Sequence, residues 1–371
     1  MKINYRIIGL FIFLLLSSLK PSQLKAQELS ETFPVKKEKH LKLIPLPFVG
    51  YSPETHFFGG GVLVASMRLG NDTTVASSLA ELNLTYTQKN QLIAEAKWYL
   101  NIGKLYVVKG FGSFARFPDK YWGIGYNTAS DQVEYYNSSR WRFSLDGLRQ
   151  IVPKLFVGVS YRLVDIQHIS HHKGLMILDS TRVTGYEGNF TSSIGPYFLY
   201  DSRDHVYSTT KGSYYSIQAV FSEKFLGSHF NFMRYEMDLR KFFNPYKKHV
   251  LAFQFKTALT DGDTPFSVMP QIGSDEDMRG YYRGRYRDMT YFSMQAEYRM
   301  PIIKRMGIAV FGGMGNVGSN LGALYQQDPK FSYGAGLRFV LSQKQHIKLR
   351  IDYAMGMDNN HGLYALIGEA F

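Results

Sequence analysis

The stretch Phe230-Asn231-Phe232-Met233-Arg234-Tyr235-Glu236-Met237-Asp238-Leu239-Arg240 alternates apolar and charged residues from Met233 onward. Successive side chains of a strand point to opposite faces. Met233, Tyr235, Met237 and Leu239 therefore share a greasy face, and Arg234, Glu236, Asp238 and Arg240 share a charged one. Neighbouring segments repeat the pattern. Leu251, Phe253 and Phe255 oppose Gln254 and Lys256. Phe292, Met294, Ala296 and Tyr298 oppose Ser293, Gln295, Glu297 and Arg299. Ile347, Leu349, Ile351 and Tyr353 oppose Lys348, Arg350 and Asp352. A soluble sandwich also alternates, but here the apolar faces are long and aromatic and no helices stand ready to cover them. The pattern predicts a membrane β-barrel with lipid outside and a wet lumen inside.

Composition agrees. The 371 residues would otherwise suggest two or three soluble domains. Aromatics reach 15%, with 27 Tyr, 27 Phe and 34 Gly, yet mean hydropathy is −0.20. That excludes a bundle of apolar membrane helices. No cysteine is present, which excludes a disulfide framework, a thiol nucleophile and thiolate metal sites.

Residues 1–26 read as a secretory signal, with Lys2 and Arg6 ahead of the apolar run Ile7 to Leu16 and a cut after Ala26. Residues 27–42, with Lys36, Lys37 and Lys39, read as a short periplasmic lead, and 43–371 as the barrel. Losing Lys2, Arg6, Lys20 and Lys25 lowers the formal charge from +13 to +9. The remaining cations are interleaved with acids and no reader motif is present, so no nucleic-acid partner is expected. Attraction to anionic lipid and lipopolysaccharide phosphate is the expected use of the surplus.

Sixteen antiparallel strands are expected. They begin near Leu43, Phe57, Ala76, Gln91, Lys104, Gln132, Lys154, Phe190, Gly212, His229, Lys247, Thr290, Met306, Phe331, His346 and Leu363. An even count returns both ends to one side of the membrane. Connections after even strands are mostly short, such as Gly103 and Ile151–Pro153, with Asp201–Lys211 the exception. Those after odd strands include Pro118–Asp131, His168–Asn189, Thr260–Met289 and Gly315–Lys330. Short turns face the periplasm and long loops face outward.

The stretch Asp277-Met278-Arg279-Gly280-Tyr281 resembles the arginine-glycine-aromatic signature of the BamA/TamA outer membrane assembly family, also called the bacterial surface antigen barrel. Other segments are similar to the same family in order and spacing. They are Asp201-Ser202-Arg203-Asp204 with Lys211-Gly212, then Tyr298-Arg299-Met300-Pro301, then Phe311 to Val317. Ser332-Tyr333-Gly334-Ala335-Gly336-Leu337-Arg338-Phe339 and the final Phe371 complete the set. The likeness covers residues 190–371, and Tyr51-Ser52-Pro53-Glu54-Thr55 looks like the opening hairpin of short members.

The resemblance implies an outer membrane location and a long loop folded into the lumen. In such a latch Arg279, with Gly280 and Tyr281 beside it, meets Glu297. The second wall carboxylate of the family falls at Gly313, where the acid is absent, and Asp352 is the candidate substitute. Larger members carry periplasmic POTRA domains, for which this sequence leaves no room. Any mechanism then rests on the seam between the first and last strands. There Pro45 and Pro47 remove ladder donors, and Gly368 weakens the strand that ends at Phe371. Asp201, Arg203, Asp204 and Gly212 match the family's turn into the ninth strand.

His168, His171 and His172 have metal-like spacing but read as an exposed loop run, and no cofactor is expected. Asp201, Asp204 and His205 do not read as a hydrolase site, and no enzyme is expected. The expected function is assembly or translocation of outer membrane protein or lipid, in a complex with other outer membrane or periplasmic proteins. One alternative is a passive pore or transporter, from Arg234, Glu236, Arg240 and Lys256 on the inner face. Another is a structural barrel whose loops dock a partner.

Overall fold

A computed structural model describes residues 41–70, 75, 77–171, 183–205, 208–342 and 347–371. The expected signal, most of the lead and His172 lie outside the described residues, as do the side chains of His168 and His171. The strands in chain order are β1 (Leu41–Ser52), β2 (His56–Met67), β3 (Ser78–Thr87), β4 (Leu92–Ile102), β5 (Tyr106–Tyr121) and β6 (Glu134–Val152). Then come β7 (Leu155–His171), β8 (Asn189–Asp201), β9 (Gly212–Ser222), β10 (Phe232–Phe243), β11 (Val250–Gly262), β12 (Gln271–Ile272) and β13 (Tyr286–Arg287). The last five are β14 (Thr290–Ile303), β15 (Met306–Gly318), β16 (Lys330–Ser342), β17 (Ile347–Gly356) and β18 (His361–Ile367).

Sixteen of these close into one antiparallel barrel, and β12 pairs with β13 inside the loop between β11 and β14. Every barrel strand starts within three residues of its expected start, the largest offsets being at β10 and β11. Those two begin later because residues 223–231 and 244–249 remain in turns. The barrel also takes in Leu41 and Lys42, which sequence patterning placed in the lead.

The alternation sets the inside and the outside. Met233, Tyr235, Phe253 and Leu337 point outward and are 40–44% exposed. Arg234, Glu236, Asp238 and Arg240 point inward and pair as Arg234–Glu236 and Arg240–Asp238, each at 2.6 Å. Both described chain ends lie at one rim, which carries the short connections and residues 68–70, 202–205 and 208–211. The other rim carries 122–133, 183–188, 263–289 and the connection holding helix α1 (Leu321–Gln326). Strands β5 to β7, with 16, 19 and 17 residues, exceed the roughly 9–11 residues that cross a bilayer.

The lumen is filled at both ends. Near the terminal rim Val107, Leu148, Tyr197 and Leu199 form an inward apolar cluster with Tyr99, Phe156 and Tyr214. Toward the other rim Tyr121 and Tyr136 enclose Phe266 of the long loop together with Val183. A charge on the outer band has no such polar surroundings. Leu337→Arg is expected to cost about 2–4 kcal/mol, whereas Ser216→Arg in the lumen costs little. Denaturant titration of the folded, heat-modifiable gel band compares the two.

Candidate functional site

The long loop is built to reach the wall. Ile272 pairs with Tyr286, and both are buried with Met278 and Tyr281 against Ala258, Tyr291 and Val317 of the barrel. The segment between them turns through four positions of positive φ, Gly273, Met278, Gly280 and Gly284, of which Met278 at φ 49° and Gly280 at φ 107° flank Arg279. Gly280 also approaches β17 closely, since a Cβ there would stand 2.8 Å from the Met355 carbonyl carbon. Its amide donates to the Tyr364 hydroxyl at 3.0 Å. The Tyr281 hydroxyl donates to the Phe331 carbonyl and accepts from the Met357 amide, both at 2.8 Å. Arg279 is thus held from both sides by its chain neighbours.

Its guanidinium forks. Nη1 donates to Asp352 Oδ2 and Nη2 donates to Glu297 Oε2, each at 2.6 Å. The plane lies 3.5 Å from the centroid of the Phe311 ring, and only 1% of the residue is exposed. The two carboxylates are shared with the wall. Arg299 Nε donates to Glu297 Oε1 at 2.6 Å, and Arg338 Nη2 lies 3.4 Å from the same oxygen. Arg338 Nη1 donates to Asp352 Oδ1, and Arg350 Nη1 donates to Asp352 Oδ2 at 3.1 Å. Arg350 is held in turn by Asp275 of the loop at 2.9 Å. Glu369 accepts from Arg338 Nε and Lys348 Nζ, both at 2.8 Å.

Four guanidiniums and one ammonium thereby meet four carboxylates. Buried charges persist only when paired in good geometry, and charge-assisted forks supply that. Gly336 makes the space, because a Cβ there would overlap Asp352 Oδ1 and stand 2.8 Å from Arg338 Nη1. Gly313 carries no acid, and a Cβ at that position would press to 2.8 Å from the Met294 carbonyl. The second carboxylate reaches Arg279 from β17 instead.

Other residues singled out from the sequence lie elsewhere. Pro45 and Pro47 face outward on β1, opposite Leu63 and Gly61 of β2. Gly368, at φ 97°, turns the chain after β18, its amide donating to the Lys348 carbonyl at 2.8 Å. Phe371 is not on the ladder between β1 and β18. It packs inward with Phe242, Val250 and Ala252, and its carbonyl accepts from Arg299 Nη2 at 2.9 Å. In the turn 202–211, Asp201 is bonded by Arg203 at 2.8 Å, and Arg203 stacks 4.4 Å from the Tyr214 centroid. Asp204 accepts from the Thr210 amide at 2.9 Å and the His205 amide at 3.0 Å. Gly212 opens β9 opposite Phe242. Arg338, Arg350, Glu369 and Tyr364 escaped the sequence reading as partners. Their signal was phase: Arg338, Arg350 and Tyr364 share the inward parity of their strands. Among the described residues no three His, Asp or Glu side chains converge as metal ligands.

A closed sixteen-stranded antiparallel barrel with an apolar outer face, whose own loop is pinned to the inner wall by ion pairs, defines an outer membrane β-barrel. The Omp85 superfamily domain matches residues 68–371, and the chain belongs to that superfamily. Its fold is similar to BamA from Haemophilus ducreyi lacking POTRA domains 1-3, with a TM-score of 0.59 and 12% identity over 90% of this chain and 71% of that one. It is similar to CdiB from Acinetobacter baumannii, with a TM-score of 0.57 and 13% identity over 89% and 60%. CdiB from Escherichia coli gives 0.58 and 10% over 90% and 63%. This chain therefore spans less than two thirds of either CdiB. No curated protein matches it.

Removing Arg279 leaves Glu297 and Asp352 buried with fewer partners. Arg279→Ala is expected to cost about 3–5 kcal/mol and to expose the loop to protease. Arg279→Lys, a point charge that cannot fork, recovers only part of that protection. In the turn, partial burial pushes the Asp204 carboxyl up. Hydrogen bonds from Thr210 and from the Lys211 and His205 amides outweigh this and hold it below the ordinary range. A depressed carboxylate stabilises the fold above its unfolded value, about pH 4, and that stabilisation is lost as pH falls through the folded value. Amide exchange at Thr210 and Lys211 is expected to speed up on acidification, and Asp204→Asn to remove the pH dependence.

Proposed function

We propose that this barrel helps insert or translocate outer membrane protein or lipid, and that its working part is the seam between β1 and β18. One observation carries this reading. All twelve residues of β1 pair with β2, but among the described residues only Tyr51 pairs across the seam, opposite Ala365. A ladder hydrogen bond contributes roughly 1 kcal/mol net, so parting this seam costs little beside parting any other pair of strands. The exposed edge of β1 then offers unpaired backbone groups to an incoming strand by β-augmentation. Pro45 and Pro47 withhold two donors from that edge strand, which limits wrong pairing.

The loop anchored at Arg279, Gly280, Tyr281 and Glu297 acts as a latch that holds the barrel in shape while the seam opens. The turn at Asp201, Arg203, Asp204 and Gly212 fixes the opposite wall. No covalent chemistry is required, since strand exchange does the work. Partners are other outer membrane or periplasmic proteins that deliver the client, and lipid or lipopolysaccharide phosphate meets the surface cations. The filled lumen disfavours passive conduction.

The absence of cysteine allows a clean test. Opposed residues of an antiparallel pair have Cα atoms about 4.5–5.5 Å apart, which suits a disulfide. Tyr51→Cys with Ala365→Cys is expected to lower outer membrane protein or lipid content under oxidising conditions and to restore it on reduction. Unchanged content with the bridge fully formed would sink the proposal.

A further inference from the structure

When the charges in the rest of the lumen are paired off, one group is left without an acid. Between the loop and the wall from β4 to β11 lies a cavity of about 760 Å³, within the size range of small-molecule sites. Most of its acids are occupied. Asp146 holds Arg162, Glu236 holds Arg234 and Asp238 holds Arg240, each at 2.6 Å. Asp275 holds Arg350 at 2.9 Å, Glu95 lies 3.9 Å from Lys97, and Glu276 and Asp277 face Lys256.

Arg142 of β6 and Arg283 of the loop remain, and both line the cavity. Among the described residues the Arg142 side chain makes no hydrogen bond or ion pair. The charges within its reach are Arg283 and Arg140, both cations, and Asp119, which Arg140 already holds at 2.8 Å. Among the described residues the Arg283 guanidinium likewise makes no hydrogen bond or ion pair; only its backbone amide donates to Glu54, at 3.0 Å. Lys109 stands apart, opposite Asp146 and nearer the terminal rim, where it donates to the Tyr197 hydroxyl at 3.1 Å. Thr191, Ser193 and Ser216 add hydroxyls to the same surface.

Two guanidiniums in repulsive reach, neither paired with a carboxylate among the described residues, form a charge pattern that a bound anion completes. A carboxylate's two oxygens are filled by one guanidinium fork, whereas a phosphate offers three or more and can accept from two guanidiniums at once. We propose that this cavity binds a phosphate-bearing anion between Arg142 and Arg283. A lipid headgroup and a free phosphate ester share this chemistry.

Pyrophosphate serves as the soluble probe, titrated calorimetrically into the full chain in detergent micelles. Saturable binding is expected, weakened about tenfold or more in Arg142→Gln and in Arg283→Gln, as for loss of a charge-assisted hydrogen bond. Lys304→Gln, at the terminal rim, is expected to bind as the parent does. Arg283→Gln removes a side chain that makes no hydrogen bond or ion pair among the described residues, so it reports even if Arg142→Gln fails to fold. Native mass spectrometry of protein taken from outer membranes separates the sources. A phospholipid or lipopolysaccharide adduct lost in Arg283→Gln identifies a headgroup, and pyrophosphate binding without such an adduct identifies a free ester. Absence of both, or equal pyrophosphate binding by the parent and both arginine variants, would overturn the proposal.

Discussion

A guanidinium carried into the middle of a barrel has to find carboxylates there, and Arg279 finds two, on β14 and β17. Much of the lumen follows from that pairing. It draws the loop against β14 to β18, so that the remaining space opens on the opposite wall. It also places Asp275 beside Arg350 and Tyr281 across the end of β17. The pairing holds because no charge in the cluster is left alone. Each wall carboxylate has at least two cations, and each shared guanidinium spans at least two acids.

Arg338 makes that cluster part of the barrel's closure. It contacts Glu297 and Asp352, which hold the loop, and Glu369, which follows the last strand. The end of β18 is therefore tied to the same charge network as the loop. Its other edge meets β1 through one described pair. The last strand is held firmly at the lumen and lightly in the wall. Full closure removes exposed sheet edges from most barrels, and here the seam comes close to keeping one.

The fold was legible because its signal is local. Period-two alternation at Met233 to Arg240 assigns inside and outside without reference to any distant residue. Arg279 and Glu297 were legible through the family motif and strand phase. Asp352 could be named only as a candidate, because filling the place left at Gly313 depends on a strand two positions around the wall. Glu369 carried no local signal at all. It lies just past Gly368, where the chain leaves β18, and its partners come from β14, β16 and β17. Phe371, read from the sequence as part of the seam, lies instead against Phe242 inside the lumen.

By itself, the sequence determined the number of strands, their phase and the rim on which each connection falls, since these depend on neighbours one or two residues away. Only the tertiary structure decided which acid meets Arg279, how few bonds close the seam and which cations are left unpaired. Those outcomes depend on barrel circumference and on the path of a 27-residue loop across the lumen, residues 263–289. Electrostatic pairing at such separations follows distance in space, and distance in space is fixed only once the ring has closed.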